Sequence, residues 1–167
     1  MTAAAMPSET RRTDSPWSPL KAILAGGLFA AVGDFVAAML IWNISWEVVG
    51  HAIGAGWLGK EAAKDSGVPG ALLGAVSHTG ILLVAAALYV FASRKLTILA
   101  RWPLVFGPLY GIAIFLTMNY IVVPLSAAPR PGVNPLEMTP TKLLDMASHL
   151  FLVGTPIALA AWKARER

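Results

Sequence analysis

Residues 69–91 read PGALLGAVSHTGILLVAAALYVF, an apolar run with no Asp, Glu, Lys or Arg and a single histidine, His78. A helix that crosses the hydrocarbon core of a bilayer needs about 20 mostly apolar residues. This run meets that demand and ends just before Arg94 and Lys95. Three further stretches meet it, at about 20–44, 103–124 and 140–162. The sequence therefore predicts an all-α integral membrane four-helix bundle over 20–162. A polar tail, 1–19, precedes it and a basic end, 163–167, follows it. Pro103 and Pro140 suit a first helical turn, where the missing N–H costs nothing, and Thr139 is placed to cap the fourth helix. Pro124 marks where the third should stop.

Working outward, the composition agrees. Of 167 residues, 56% are hydrophobic and 13% charged, against about 25% charged in soluble domains. Most water-soluble folds are thereby excluded. With no cysteine, thiolate catalysis, Cys-based zinc sites and iron–sulfur clusters are excluded as well. The net charge of +4 forms no basic stripe, which argues against nucleic acid. The first apolar stretch is too long for a signal peptide, carries Asp34 and lacks a small-x-small cleavage site.

Nine of the 13 cationic residues fall on the N-terminal side, in the second loop or at the C-terminus. The other two loops hold only Lys60, Lys64, Arg130 and Lys142. By the positive-inside rule both termini face the cytoplasm. On the opposite side, 45–67 has Trp46, Val49, Ile53 and Trp57 at helical spacing, with Glu47, His51, Lys60, Glu61 and Lys64 between them. That pattern predicts an amphipathic segment lying in the outer interface, with His51 solvated. Gly50, Gly54, Gly56 and Gly59 predict a weak or broken helix there. Pro129, Pro131 and Pro135 make 126–139 a stiff outer loop.

Spans two and four match under a shift of 71: Leu72-Leu73 with Leu143-Leu144, Ser77-His78 with Ser148-His149, Arg94 with Arg165. A two-helix hairpin duplicated in parallel, with a pseudo-two-fold axis along the membrane normal, would produce this.

Ionisable residues inside a span are costly and mark function by default. His78 and His149 each precede an arginine by 16 residues (94−78 and 165−149), a rise of about 24 Å. Asp34 lies 13 residues after Lys21, about 20 Å, and Asn119 lies 18 after Arg101, about 27 Å. The expectation is a polar cluster of Asp34, His78, Asn119 and His149 in one outer slab, one residue per span. Asp145 stands a turn further out, on the face of His149. Ala30, Ala31, Ala37 and Ala38 around Asp34, and Ala71, Gly74, Ala75 and Ala85 along the face of His78, mark helix–helix contacts.

Asp34, Ser77-His78, Pro124 and Ser148-His149 resemble the YagU-like group of bacterial four-span inner-membrane proteins of unknown function. The resemblance runs over about 20–162. It implies a helical bundle in a bacterial inner membrane and carries no activity, substrate or cofactor with it.

Several functions use these residues. Histidine titrates near neutrality, so Asp34 and His78 could exchange a proton or ion, with Asp145 orienting His149. So small a chain would need a homo-oligomer or a membrane partner to form a conduit. His78 and His149, at equal depth, could instead ligate haem b between them in an electron-transfer protein, which requires no cysteine. A His-plus-carboxylate metal site is another use of the same groups. A non-catalytic scaffold or accessory subunit would use the polar slab only to set helix register. No hydrolase arrangement is present, and Ser77 and His78 point to different faces of one helix. The chain does not read as an enzyme.

Overall fold

The computed structural model describes residues 17–128 and 137–165. The expectations for the tail before Trp17, for the prolines of the outer loop and for the last two residues lie outside them. Four helices are long and apolar enough to cross a membrane: span 1, Pro19–Trp42; span 2, Val68–Lys95; span 3, Pro103–Val122; and span 4, Pro140–Lys163. This is the expected all-α four-helix bundle. Local chemistry sets its ends. Ser18 and Thr139 accept backbone N–H bonds from Lys21 and Lys142, capping spans 1 and 4. Span 1 stops earlier than the apolar pattern suggests because Asn43 takes the left-handed conformation, φ 49°, and its N–H returns to the carbonyl of Met39.

The bundle is inverted relative to a soluble one. Its buried described residues are mostly alanines and glycines, among them Ala22, Ala30, Ala31, Ala86, Ala158 and Ala161, whereas Leu40, Val76, Leu104 and Phe151 point outward. Lipid tails are as apolar as leucine, so nothing drives large side chains inward, and small residues let backbones approach. Spans 3 and 4 illustrate this. A Cβ added at Gly107 would come within 2.9 Å of Thr155 Cα, and one at Gly111 would collide with the carbonyl oxygen of His149.

Span 1 packs against spans 2 and 4, and span 4 also packs against span 3. Spans 2 and 3 meet through Tyr110, whose hydroxyl donates to the carbonyl of Ala85 at 2.8 Å while its ring lies 4.9 Å from that of Tyr89. Both described ends of the chain come together. Lys21 Nζ and Lys163 Nζ lie 4.9 and 5.0 Å from the ring of Trp17, a cation–π arrangement.

Between spans 1 and 2 the chain forms one helix at Trp46–Leu58 and a shorter one at Lys60–Asp65. The glycines do not break the first of these. Gly50 and Gly54 face span 2 so closely that a Cβ on either would strike the backbone at Ala71 or Gly70. The cost of glycine in a helix is offset here by backbone-close packing that no other residue allows. The break comes at Gly59, whose φ of 84° disfavours any L side chain. Instead of being solvated, the His51 ring bonds through Nε2 to the carbonyl oxygen of Gly67 at 2.7 Å, fastening this helix to the start of span 2.

Candidate functional site

Asp34 is a buried carboxylate, 8% exposed, about two-thirds of the way along span 1. Spans 2 and 4 each bring a histidine to it. His78 Nε2 lies 3.8 Å from Asp34 Oδ2, and His149 Nδ1 lies 3.5 Å from Asp34 Oδ1. The two oxygens of one carboxylate thus face two imidazoles from different helices. These distances are in ion-pair range and longer than hydrogen bonds. Asp145 Oδ1 is 3.7 Å from His149 Nδ1, one helical turn away on the same span.

Backbone carbonyls decide the tautomers. His149 Nδ1 is 2.9 Å from the carbonyl oxygen of Asp145, and His78 Nε2 is 3.2 Å from that of Ala31. A carbonyl can only accept, so these nitrogens carry the protons in the neutral rings. The opposite nitrogens, Nε2 of His149 and Nδ1 of His78, therefore hold the lone pairs. Phenylalanines stand edge-on to both rings, Phe35 at 5.7 Å from His78 and Phe115 at 5.5 Å from His149, centroid to centroid.

Ser148 supplies a hydroxyl that residue spacing does not reveal. Its Oγ is 3.2 Å from Asp34 Oδ1 and 2.8 Å from the carbonyl oxygen of Asp145. A serine has one proton, so it serves one acceptor at a time. With Asp34 ionised, Ser148 can donate to the carboxylate. With Asp34 protonated, the acid can donate to Oγ while Ser148 donates to the Asp145 carbonyl. Both protonation states of Asp34 are therefore accommodated without moving the backbone. The available sequence signal was the position of Ser148, three residues after Asp145 and on its face.

Span 4 departs from α geometry at this point. A π-helical segment runs from His149 to Gly154. Pro156 has no N–H to give to the carbonyl four residues earlier. Thr155 directs both its backbone N–H and its Oγ1 to the carbonyl of Leu150, Oγ1 at 2.8 Å. Such π turns concentrate at functional sites.

Asn119 does not join the cluster. Its Nδ2 donates to the carbonyl of Phe115 on its own helix at 2.9 Å. On span 3, Gly111 faces the backbone of His149 and Phe115 its ring, and Asn119 lies four residues (119−115), about 6 Å, beyond Phe115 along the span. Ser77, the counterpart of Ser148 under the shift of 71, accepts from Trp57 Nε1 at 3.0 Å and is not at Asp34.

The same geometry tests the cofactor expectations. A haem held by His78 and His149 would have to pass its flat macrocycle between the two rings, and the Asp34 carboxylate occupies that space. The two histidines in this arrangement do not fit a haem held between them. Among the described residues no group of three His, Cys, Asp or Glu side chains is disposed to hold a metal ion. No protein-family model, curated protein or solved structure matches the chain.

Proposed function

We propose that this is a small, multi-pass protein of a bacterial inner membrane, YagU-like in kind, that handles protons or small ions through Asp34, His78 and His149. One observation carries the proposal: a single intramembrane carboxylate lies within 4 Å of two imidazoles from two other helices, at 3.5 and 3.8 Å. With Asp34 ionised and both rings neutral, these three residues carry one negative charge. One added proton on either ring brings the three to zero net charge. Asp34 stands between the rings, so a proton can be held by either imidazole without changing the net charge. Ser148 adjusts to the carboxyl's protonation state, and Asp145 orients His149.

The excess of cations near both termini supports a cytoplasmic location for that end. The shift of 71 supports descent from a duplicated hairpin in which His78 and His149 came to serve one acid. Assembly into a homo-oligomer, or with a membrane partner, would complete a conduit.

A scaffold is the second reading, and a specific observation favours it: the His78 proton is directed to the carbonyl of Ala31, a bond that ties span 2 to span 1. The test is proton flux into liposomes holding a pH-sensitive dye and driven by a pH gradient. The parent protein should exceed protein-free liposomes, Asp34→Asn should abolish the excess, and His78→Gln and His149→Gln should each cut it at least tenfold. Equal flux in parent, Asp34→Asn and protein-free liposomes, with all proteins folded, overturns proton handling and leaves the scaffold.

A further inference from the structure

At the end of the bundle where the described termini meet, far from Asp34, an open cavity of about 460 Å³ is lined by three arginines: Arg94, Arg101 and Arg165. They come from three places in the chain: the last turn of span 2, the short helix Thr97–Arg101, and the residues just after span 4. Arg94 is 16 residues from His78 (94−78), about 24 Å along span 2, so this cavity is separate from the intramembrane cluster.

Its chemistry is divided. Val90, Ala100 and Ala161 form an apolar floor, all of them buried. Arg94, Arg101, Arg165 and Thr97 make the wall polar, with the Arg165 guanidinium 5.5 Å from the ring of Trp162. Ser93 also lines the cavity, but its hydroxyl donates to the carbonyl of Val90 at 2.7 Å, so it can only accept from a ligand. Among the described residues, every Asp and Glu lies within the spans or toward the other end of the bundle. The cavity therefore sets cationic side chains beside a small apolar surface. Guanidinium binds phosphate oxygens in a bidentate fork, and arginines from three separate elements suit a group with several anionic oxygens. The volume falls within the range of about 300–1,000 Å³ found for small-ligand sites, so a phosphate with attached atoms can enter.

We infer that this cavity binds a phosphate group carried on a larger molecule, either the headgroup of an anionic phospholipid or a soluble phosphate ester. Basic pockets between spans at this kind of end are suited to headgroups, and the apolar floor would receive the first atoms beyond the phosphate. The inference does not depend on the role of Asp34.

The experiment uses the full chain purified in a neutral detergent and titrated with short-chain phosphatidylglycerol, phosphatidylcholine, glycerol phosphate or inorganic phosphate, with binding read by native mass spectrometry and by thermal shift. Phosphatidylglycerol should bind saturably and at least tenfold more tightly than phosphatidylcholine. In the double variant Arg101→Gln/Arg165→Gln the affinity should fall at least tenfold. Lys95→Gln removes a charge at the same end outside the cavity and should change it less than twofold. Displacement of the lipid by glycerol phosphate supports the site and assigns it to a soluble ester. Lack of displacement with retained lipid binding supports the site and assigns it to a headgroup. Equal binding of the two lipids overturns the inference. So does an equal loss from Lys95→Gln, or unchanged binding in a folded double variant.

Discussion

Ser148 and Asp34 meet, hydroxyl to carboxylate, at 3.2 Å across 114 residues of sequence. This contact joins span 4 to span 1 at the level of both histidines. It also makes Asp34 a carboxyl with a hydrogen-bonding partner that can reverse its role.

Replacing that hydroxyl isolates its contribution. Ser148→Ala keeps the size of the buried side chain but removes the donor to Asp34. Stability in detergent should fall by about 1 kcal/mol, in line with one interhelical hydrogen bond in a membrane bundle. Ser148→Thr retains the hydroxyl and should recover part of the loss. The check is thermal unfolding of both variants beside the parent. An unchanged Ser148→Ala variant would show that the contact contributes nothing to holding span 4 on span 1.

Two glycine substitutions should have opposite effects. A Cβ at Gly111 would collide with the backbone of span 4, whereas one at Gly80 meets nothing within 4 Å. Gly111→Ala should destabilise by about 1–3 kcal/mol, as overpacking does. Gly80→Ala should be neutral or stabilise by up to about 1 kcal/mol, through helix propensity alone. Thermal unfolding again decides, and equal losses from both would contradict the close approach of spans 3 and 4.

Tyr110→Phe removes the hydroxyl that links span 3 to the Ala85 carbonyl of span 2 and leaves the ring against Tyr89. The expected loss is about 0.5–1.5 kcal/mol. Because spans 2 and 3 share little other contact, limited proteolysis at Thr97–Arg101, the segment joining them, should accelerate in this variant. Proteolysis at Lys60–Asp65 should not.

Orientation is open to a direct measurement, since the chain has no native cysteine and labelling has no background. Ala62→Cys lies in the connection between spans 1 and 2, and Thr97→Cys in the connection between spans 2 and 3. In intact cells an impermeant thiol reagent should label the first and spare the second. Reversed labelling would turn the bundle over and place the arginine-lined cavity outside.

What the sequence determined by itself depends on one helix at a time. The four spans follow from the length and apolarity that the hydrocarbon demands. The Pro140 start and the Thr139 cap of span 4 follow from local backbone chemistry. The common level of Asp34, His78 and His149 follows from a fixed rise per residue along unbroken helices. That logic does not reach Asn119, whose amide donates to the carbonyl of Phe115 on its own helix. Only the tertiary structure decided which spans are neighbours, that one carboxylate serves both imidazoles, which ring nitrogens carry protons, and that Ser148 belongs to the site while Ser77 does not. It also turned the glycines of Trp46–Leu58 from helix breakers into a contact surface. The physical reason is that sequence spacing fixes rise and rotation within a helix but not between helices. In a bilayer, moreover, the apolar pattern does not mark the inward face, because lipid solvates leucine as well as a protein core does. Small residues and hydrogen bonds between segments up to 114 residues apart choose that face.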